Sequence, residues 1–456
     1  MSEIRTIARH AGTVLVGQLA VMAFGVTDTV IAGRYSPHAL AVLSLASSIY
    51  ISIYLALNGM VQALLPVWAE LHGANQKTEV GRSVRQAIYI SALAALMGIT
   101  GLCLPEPWLS WTQVPTELWP DVKAYLRVLA AALVPALIFR MYGTLNQSLG
   151  FPRLVTWLQA GALLVKIPMS ILLTFGVSEV PGLGVVGCAW ATLIVNSLMM
   201  LTGLWLLRTQ DIYRAYQLWR LPEKPQWSVL RQFLRLGVPA GLCIMVEVTS
   251  FTLMALFVAR LGAVASASHQ IAATLASVLY MVPLALGIAS SARTGYWLGA
   301  GQAHRARRAA GLGISLAIGA AVLCAAALLL GRETIAHAFT NDPLVAQTAM
   351  AWLVWVAIYH LADTVQAVCA YLLRCYRITI APLLIYTAFL WGLGLYGGYL
   401  WAYDDSALIG WLQWTGRPAV DTFWISSSLA LALVSVLFAT LVWHATRSGT
   451  GSTAQV

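Results

Sequence analysis

Residues 233–261 read FLRLGVPAGLCIMVEVTSFTLMALFVARL. The stretch exceeds the ~20 mostly apolar residues that a bilayer-spanning helix needs. Its apolar residues run on without the two-residue alternation of a membrane barrel strand. One carboxylate, Glu247, sits near its middle. The rest of the chain decides how many such runs exist and what acids are doing inside them.

The whole chain shares this character. Of 456 residues, 59% are apolar and 10% are charged, against about 25% charged in soluble domains. So few charges cannot cover a water-facing surface, and lipid is the expected surroundings. The net charge of +10 does not mark a nucleic-acid binder, because the basic residues lie in short loops between apolar runs. Six cysteines in or beside those runs, without CxxC spacing, read as small buried hydrophobes. The first run continues through Gly33 without a cleavage-type flank, so it is expected to remain as a helix.

Six runs are found in the first half, at 11–34, 40–70, 84–108, 122–148, 154–177 and 182–208. Six more follow at 233–261, 264–297, 306–331, 344–373, 378–403 and 418–445. The expectation is an all-α polytopic membrane protein of twelve transmembrane helices. Its domains are expected as an N-terminal six-helix bundle (1–208), a cytoplasmic linker (209–232) and a C-terminal six-helix bundle (233–456). With both termini inside, nineteen of the 27 basic residues fall on the cytoplasmic side. Five fall outside: Arg34, Lys123, Arg260, Arg332 and Arg417. That bias sets the expected orientation.

At an offset of about 226, Tyr54 aligns with Tyr280, Gly73 with Gly299 and Arg82 with Arg308. Sparse as they are, these identities join the equal helix counts in pointing to two homologous bundles. An even number of helices per half brings both halves in from the same side, with a substrate site expected between them.

Three acids fall within spans: Asp28 in VTDTV (26–30), Glu247 in VEVTS (246–250) and Asp363 in YHLADTVQ (359–366). A charge at a helix centre costs about 2.5–3.5 kcal/mol on insertion scales. The usual compensation is a cavity, an ion path or a buried partner. Such a carboxylate can take up a proton or hold a desolvated cation, so both H⁺ and Na⁺ remain open. Lys166, in VKIPMS (165–170), sits near the midpoint of the fifth run, where it can pair with Asp28 or snorkel to an interface. Arg140, on the fourth run, has two readings, the inner interface or a cavity wall, whereas Arg127 is expected at headgroups. His269 and Gln270 on the eighth run can face a polar cavity or bond between helices. Six prolines inside runs (Pro66, Pro135, Pro168, Pro239, Pro283 and Pro382) read mainly as passive kinks. Tryptophans such as Trp108, Trp111 and Trp119 read as interfacial belt residues.

Several stretches taken together resemble the multidrug and toxic compound extrusion (MATE) family in its bacterial NorM-like branch. They are VTDTVIAG (26–33), PVWAELHGA (66–74), GVVGCAWAT (184–192), KPQW (224–227), EVTSF (247–251), ASHQIA (267–272) and Tyr359 to Gln366. The resemblance implies two six-helix lobes forming a V-shaped central cavity with alternating access. It further implies export of organic cations, dyes and drugs in exchange for Na⁺ or H⁺. Glu247 and Asp363 would be the second-lobe ion-coupling carboxylates, with Na⁺ possible there and Tyr359 beside them. Asp28 would be the first-lobe carboxylate, with Ser170 and Thr192 as polar neighbours. His269, Gln270 and Lys166 are added as cavity or ion-site neighbours.

Two departures stand out: Lys166 and Ser170 replace the family's Asn residues of an Asn-x-Pro-x-Asn stretch, and Thr13 replaces a first-helix proline. A fixed ammonium can stand in for an ion, so coupling is expected to rest on Glu247 and Asp363 more than on Asp28. A monomer in the bacterial inner membrane is expected, with no cofactor beyond the coupling ion. A lipid-linked precursor or metabolite exporter of the same superfamily is the alternative, disfavoured by buried charge that is mainly acidic. A membrane enzyme would need clustered His, Ser/Lys or metal-ligand spacing within the spans, and ATP-driven transport would need a Walker loop; neither is present.

Overall fold

The computed structural model describes residues 2–111, 115–177, 180–221, 223–403 and 421–448. Among these, twelve helices are long and apolar enough to cross a bilayer. They are α1 Glu3–Tyr35, α2 Pro37–Gly73, α3 Lys77–Cys103, α4 Thr116–Ser148, α5 Pro152–Phe175 and α6 Val185–Thr209 in the first half. The second half holds α7 Trp227–Ala259, α8 Ala263–Gly299, α9 Ala303–Phe339, α10 Pro343–Cys375, α11 Ile380–Tyr403 and α12 Thr422–Arg447. A two-residue strand pair, Gly176–Val177 with Val180–Pro181, is a small addition to this all-helical architecture. Arg417, assigned above to an outside loop, lies outside the described residues, as do Glu179, Asp404 and Asp405 and the side chains of Trp108 and Trp111.

Helix ends differ from the apolar runs where polar residues continue a helix. α1 begins at Glu3 rather than near residue 11, because the Glu3 carboxylate is fixed by Arg293. Arg293 donates from Nε at 2.6 Å and Nη2 at 3.0 Å, and Trp297 Nε1 adds a bond at 3.2 Å. α2 is helical over Pro37–Gln62 and Leu65–Gly73, with a turn at Ala63 and Leu64 between. Pro66 opens the second piece and Pro382 lies in the first turn of α11, positions where a missing N–H costs little. Neither is the mid-helix kink expected from the run. Pro135, Pro168, Pro239 and Pro283 are inside helices. α11 is wound as a π-helix over Thr387–Gly397, and Ser426 Oγ on α12 donates to the Gly394 carbonyl at 2.8 Å. Among the described residues the cysteines form no disulfide; Cys188, Cys243, Cys369 and Cys375 are buried as expected, while Cys103 is exposed.

The chain folds as two compact units. One runs from Gly12 to Gly241; the other takes the stretch up to Ala11 together with the chain from Leu242 onward. The division therefore passes through α1 and α7 rather than through 209–232. The physical reason is side-chain packing. Glu3 is bound by α8, whereas Phe233, Leu236 and Ala240 at the start of α7 join a first-unit core with Trp68, Val84 and Tyr216. Gly241 approaches α2 so closely that a Cβ would lie 2.6 Å from the Ala56 carbonyl oxygen. The residues between α6 and α7 are held to α3 by Arg85, Gln86 and Tyr89. Arg85 Nη2 lies 2.5 Å from Glu223, Arg85 Nη1 bonds the Gln217 carbonyl at 2.7 Å, and Tyr89 bonds the Glu223 carbonyl at 2.9 Å. This cation holds the Glu223 carboxyl below its ordinary range, chiefly through the Arg85 hydrogen bond.

In the first unit α4 packs on α2, α3 and α6 around Val42, Leu126, Leu133 and Val185. In the second, α8, α9, α10 and α12 enclose Val258, Trp352, Val356, Phe423 and Trp424. Leu164 on α5 and Leu323 and Leu330 on α9 point outward and are strongly exposed, the apolar surface a bilayer would cover.

Candidate functional site

In each unit the acids singled out from sequence sit in a polar cluster inside the spans. In the first unit the junction of α5 and α6 builds it. Leu183 and Gly184 donate backbone N–H groups to Leu173 and Thr174, and Gly187 lies so close that a Cβ would meet the Leu173 oxygen at 2.4 Å. This close approach sets Lys166 on α5 against Cys188 and Thr192 on α6. The Lys166 ammonium, fully buried, lies 2.9 Å from Asp28 Oδ1, 3.0 Å from the Cys188 carbonyl and 2.7 Å from Thr192 Oγ1. An ammonium has three donors, and here each finds an acceptor. Ser170 Oγ donates to Asp28 Oδ1 at 3.0 Å. Of the two readings for Lys166, pairing with Asp28 is the one this geometry has. Asp28, Lys166, Ser170 and Thr192 are thus brought together, and their charges cancel.

The second unit differs. Glu247 on α7 and Asp363 on α10 converge on one amide: Gln366 Nε2 lies 3.3 Å from Glu247 Oε1 and 2.8 Å from Asp363 Oδ1. The Tyr386 hydroxyl on α11 bonds Gln366 Oε1 and fixes the amide's direction. Trp391 Nε1 reaches the Val246 carbonyl at 3.1 Å, so the π-wound stretch packs beside Glu247. Among the described residues no Lys, Arg or His forms an ion pair with either acid. Two carboxylates sharing one neutral amide repel each other, and a proton or a small cation relieves that repulsion. The two carboxylates are hard oxygen donors, the class that suits Na⁺, and either can also take a proton, so these acids fit either ion.

Tyr359 is half-buried, one turn before Asp363, with ring contacts to Trp424 (5.8 Å between centroids) and Phe251 (6.4 Å). His269 is buried among Phe251, Trp352 and Trp424, and neither ring nitrogen has a hydrogen-bond partner among the described residues. Gln270, the next residue, is exposed. Gln366 and Tyr386 were not singled out as site residues from sequence. Gln366 follows Asp363 by three positions and so shares its helix face, a signal available in the run; nothing in the sequence pointed to Tyr386.

Arg140 on α4 belongs to neither cluster. Its Nε bonds Asn58 Oδ1 and its Nη2 lies 3.2 Å from Gln62 Oε1, both on α2. Arg127 is exposed near the beginning of the same helix.

The MatE family model matches the chain twice, over residues 14–172 and 239–400. The two matches begin at nearly the spacing of the internal alignment, so the halves are homologous repeats. A probable multidrug resistance protein NorM of Aromatoleum aromaticum is 36% identical over 436 residues, covering 95% of this chain and 92% of that protein. Multidrug resistance protein PmpM of Pseudomonas aeruginosa is 34% identical over 413 residues, covering 90% and 86%. The crystal structure of the eukaryotic MATE transporter AtDTX14 superposes with a TM-score of 0.87 over 98% of both chains, at 17% identity. That identity speaks for the fold, and the closer relatives and the doubled match speak for descent. The chain belongs to the MatE family, within its NorM-like bacterial branch.

Proposed function

We propose that this protein is a secondary antiporter that exports cationic or amphiphilic organic compounds, drugs and dyes among them, in exchange for Na⁺ or H⁺ by alternating access. The multidrug resistance names of its relatives support the efflux part of this reading. Support for ion coupling rests on one observation: Glu247 and Asp363 share the Gln366 amide without an ion-pairing base among the described residues. A site of that kind gains a cation or a proton on one side of the membrane and loses it on the other. Asp28 is already neutralised by Lys166, so the first unit has less need of a mobile cation. We infer that the chain works as a monomer in the inner membrane with both termini cytoplasmic, following the bias of its basic loops.

Reconstituted liposomes loaded with a cationic dye test this directly, with Na⁺ and pH gradients imposed separately. Dye movement driven by one gradient, and abolished when that gradient is collapsed, is the expected result. Dye movement indifferent to both gradients would overturn ion coupling.

A further inference from the structure

We propose that Arg374, in the last turn of α10, is the positioning residue that weakens the hold of Glu247 and Asp363 on the coupling cation. The proposal deepens the ion-coupling reading above and rests on it. An arginine in the last turn of a span ordinarily extends its head to the aqueous interface. Arg374 does not: it is 6% exposed, and its Nη1 is buried without a hydrogen-bond partner. Among the described residues its guanidinium forms no ion pair or hydrogen bond. It lies over the Tyr371 ring, with Cζ 4.5 Å from the centroid. Tyr371 is in turn pressed on α8, where a Cβ on Gly287 would lie 2.7 Å from the ring. Packing therefore holds the guanidinium, and its charge stays unpaired.

Its place on the helix directs that charge. Arg374 follows Asp363 by eleven positions, about three turns, so the two share a face of α10. Side chains on a helix lean back toward its N-terminus, which here is toward the acids. The charge of Arg374 acts on Cys243 and Glu247, one turn apart on α7, and on Tyr280 of α8. The titratable and charged groups around Glu247 are Cys243 on its own helix, Tyr280 on α8, Tyr359, Asp363 and Arg374 on α10, and Tyr386 on α11. Arg374 is the one cation among these described groups. A guanidinium stays charged in any surroundings. A fixed positive charge near two acids competes with any mobile one: it stabilises them when empty and repels the cation that fills them. At an effective dielectric of ~20 and a separation on the order of 10 Å, a unit charge changes affinity about tenfold. Lys166 in the first unit touches its acid and satisfies it. Arg374 stands off and leaves Glu247 and Asp363 open to a cation that they can also release.

The experiment titrates purified protein in detergent with Na⁺ at fixed pH, and with H⁺ at fixed Na⁺, reading tryptophan fluorescence. Trp391, whose Nε1 bonds the Val246 carbonyl, reports from beside Glu247. Dye efflux from proteoliposomes across the same concentrations of the driving cation is the second readout. Wild type, Arg374→Gln, Arg374→Met and Arg374→Lys are compared, each first checked for folding by thermal unfolding. The two neutral variants should bind the cation about tenfold more tightly, with the half-saturation of efflux lowered to match and turnover slowed. Arg374→Lys keeps the charge and should stay within about threefold of the wild type. Unchanged affinity in the neutral variants would overturn the proposal. So would an equal shift in Arg374→Lys, which would assign the effect to stacking on Tyr371. A guanidinium without a structural bond is dispensable for folding, so failure of both neutral variants to fold would overturn it as well. Wild-type protein whose fluorescence answers neither cation, and whose efflux follows neither gradient, would overturn the ion-coupling reading itself, and this inference with it.

Discussion

Glu247 and Asp363, on helices α7 and α10, reach the same amide nitrogen of Gln366, at 3.3 and 2.8 Å. A single NH₂ group has two donors, so each acid takes one. The bridge holds both carboxylates in place without an ion pair to either among the described residues. That separates the second unit's cluster from the first unit's, where an ammonium closes the account.

Replacing Gln366 by Leu removes both donors and leaves the acids facing one another. The coupling cation, in their absence, should be held about tenfold more tightly, from the ~1.5 kcal/mol or more that hydrogen bonds to charged groups contribute. Transport assays across a range of cation concentration read this as a lower half-saturation and a slower turnover. An unchanged half-saturation would show that the amide does not tune the site.

Lys166→Ala leaves Asp28 buried without its cation. Removing one partner of a buried ion pair costs about 3–5 kcal/mol, so thermal unfolding in detergent should shift clearly downward. Adding Asp28→Asn should restore much of the loss, since an amide keeps the Ser170 contact without a charge. A single variant as stable as the wild type would show that the pair contributes nothing.

Gly187→Ala tests the α5–α6 junction. A Cβ placed 2.4 Å from the Leu173 oxygen must push the helices apart, at about 1–3 kcal/mol for overpacking. The Lys166–Thr192 contact should loosen with it. Amide exchange of α6 in the variant, compared with the wild type, reads the displacement; unchanged protection would contradict it.

The residues between α6 and α7 should respond to acid. Glu223 is held below its ordinary carboxyl value by Arg85. A depressed folded-state value means that the stabilisation is complete above the ordinary value of 4.5 and is lost as pH falls through the folded one. Amide protection near Gln226, whose N–H bonds Gln86 at 2.9 Å, should hold steady above that range and drop below it. In Glu223→Gln the acid-dependent drop should disappear, once intrinsic exchange rates are corrected. A drop of the same size in the variant would assign it elsewhere.

Asp28, Glu247, Asp363 and Lys166 were legible in sequence because a charge inside an apolar run is an exception to its surroundings and carries a recognisable cost. Glutamine and tyrosine carry no such mark: Gln366 and Tyr386 enter the site through contacts between α10 and α11, which no local pattern encodes. Helix count follows from hydropathy, yet Glu3 and Arg293 are 290 positions apart, and their bond is what extends α1 to residue 3. The unit boundary inside α7 depends likewise on Phe233 and Leu236 packing against Trp68, a choice hydropathy does not make. The π-wound stretch of α11 packs on α12 through the Ser426–Gly394 bond, while its composition reads as an ordinary apolar helix.

Dye-driven cation exchange in proteoliposomes, compared across Asp28→Asn, Glu247→Gln and Asp363→Asn at matched protein density, tests the central claim most directly. Loss of exchange in the Glu247 and Asp363 variants, with a substantial rate kept by Asp28→Asn, is the predicted result. Exchange abolished by Asp28→Asn and left intact by the other two would contradict it.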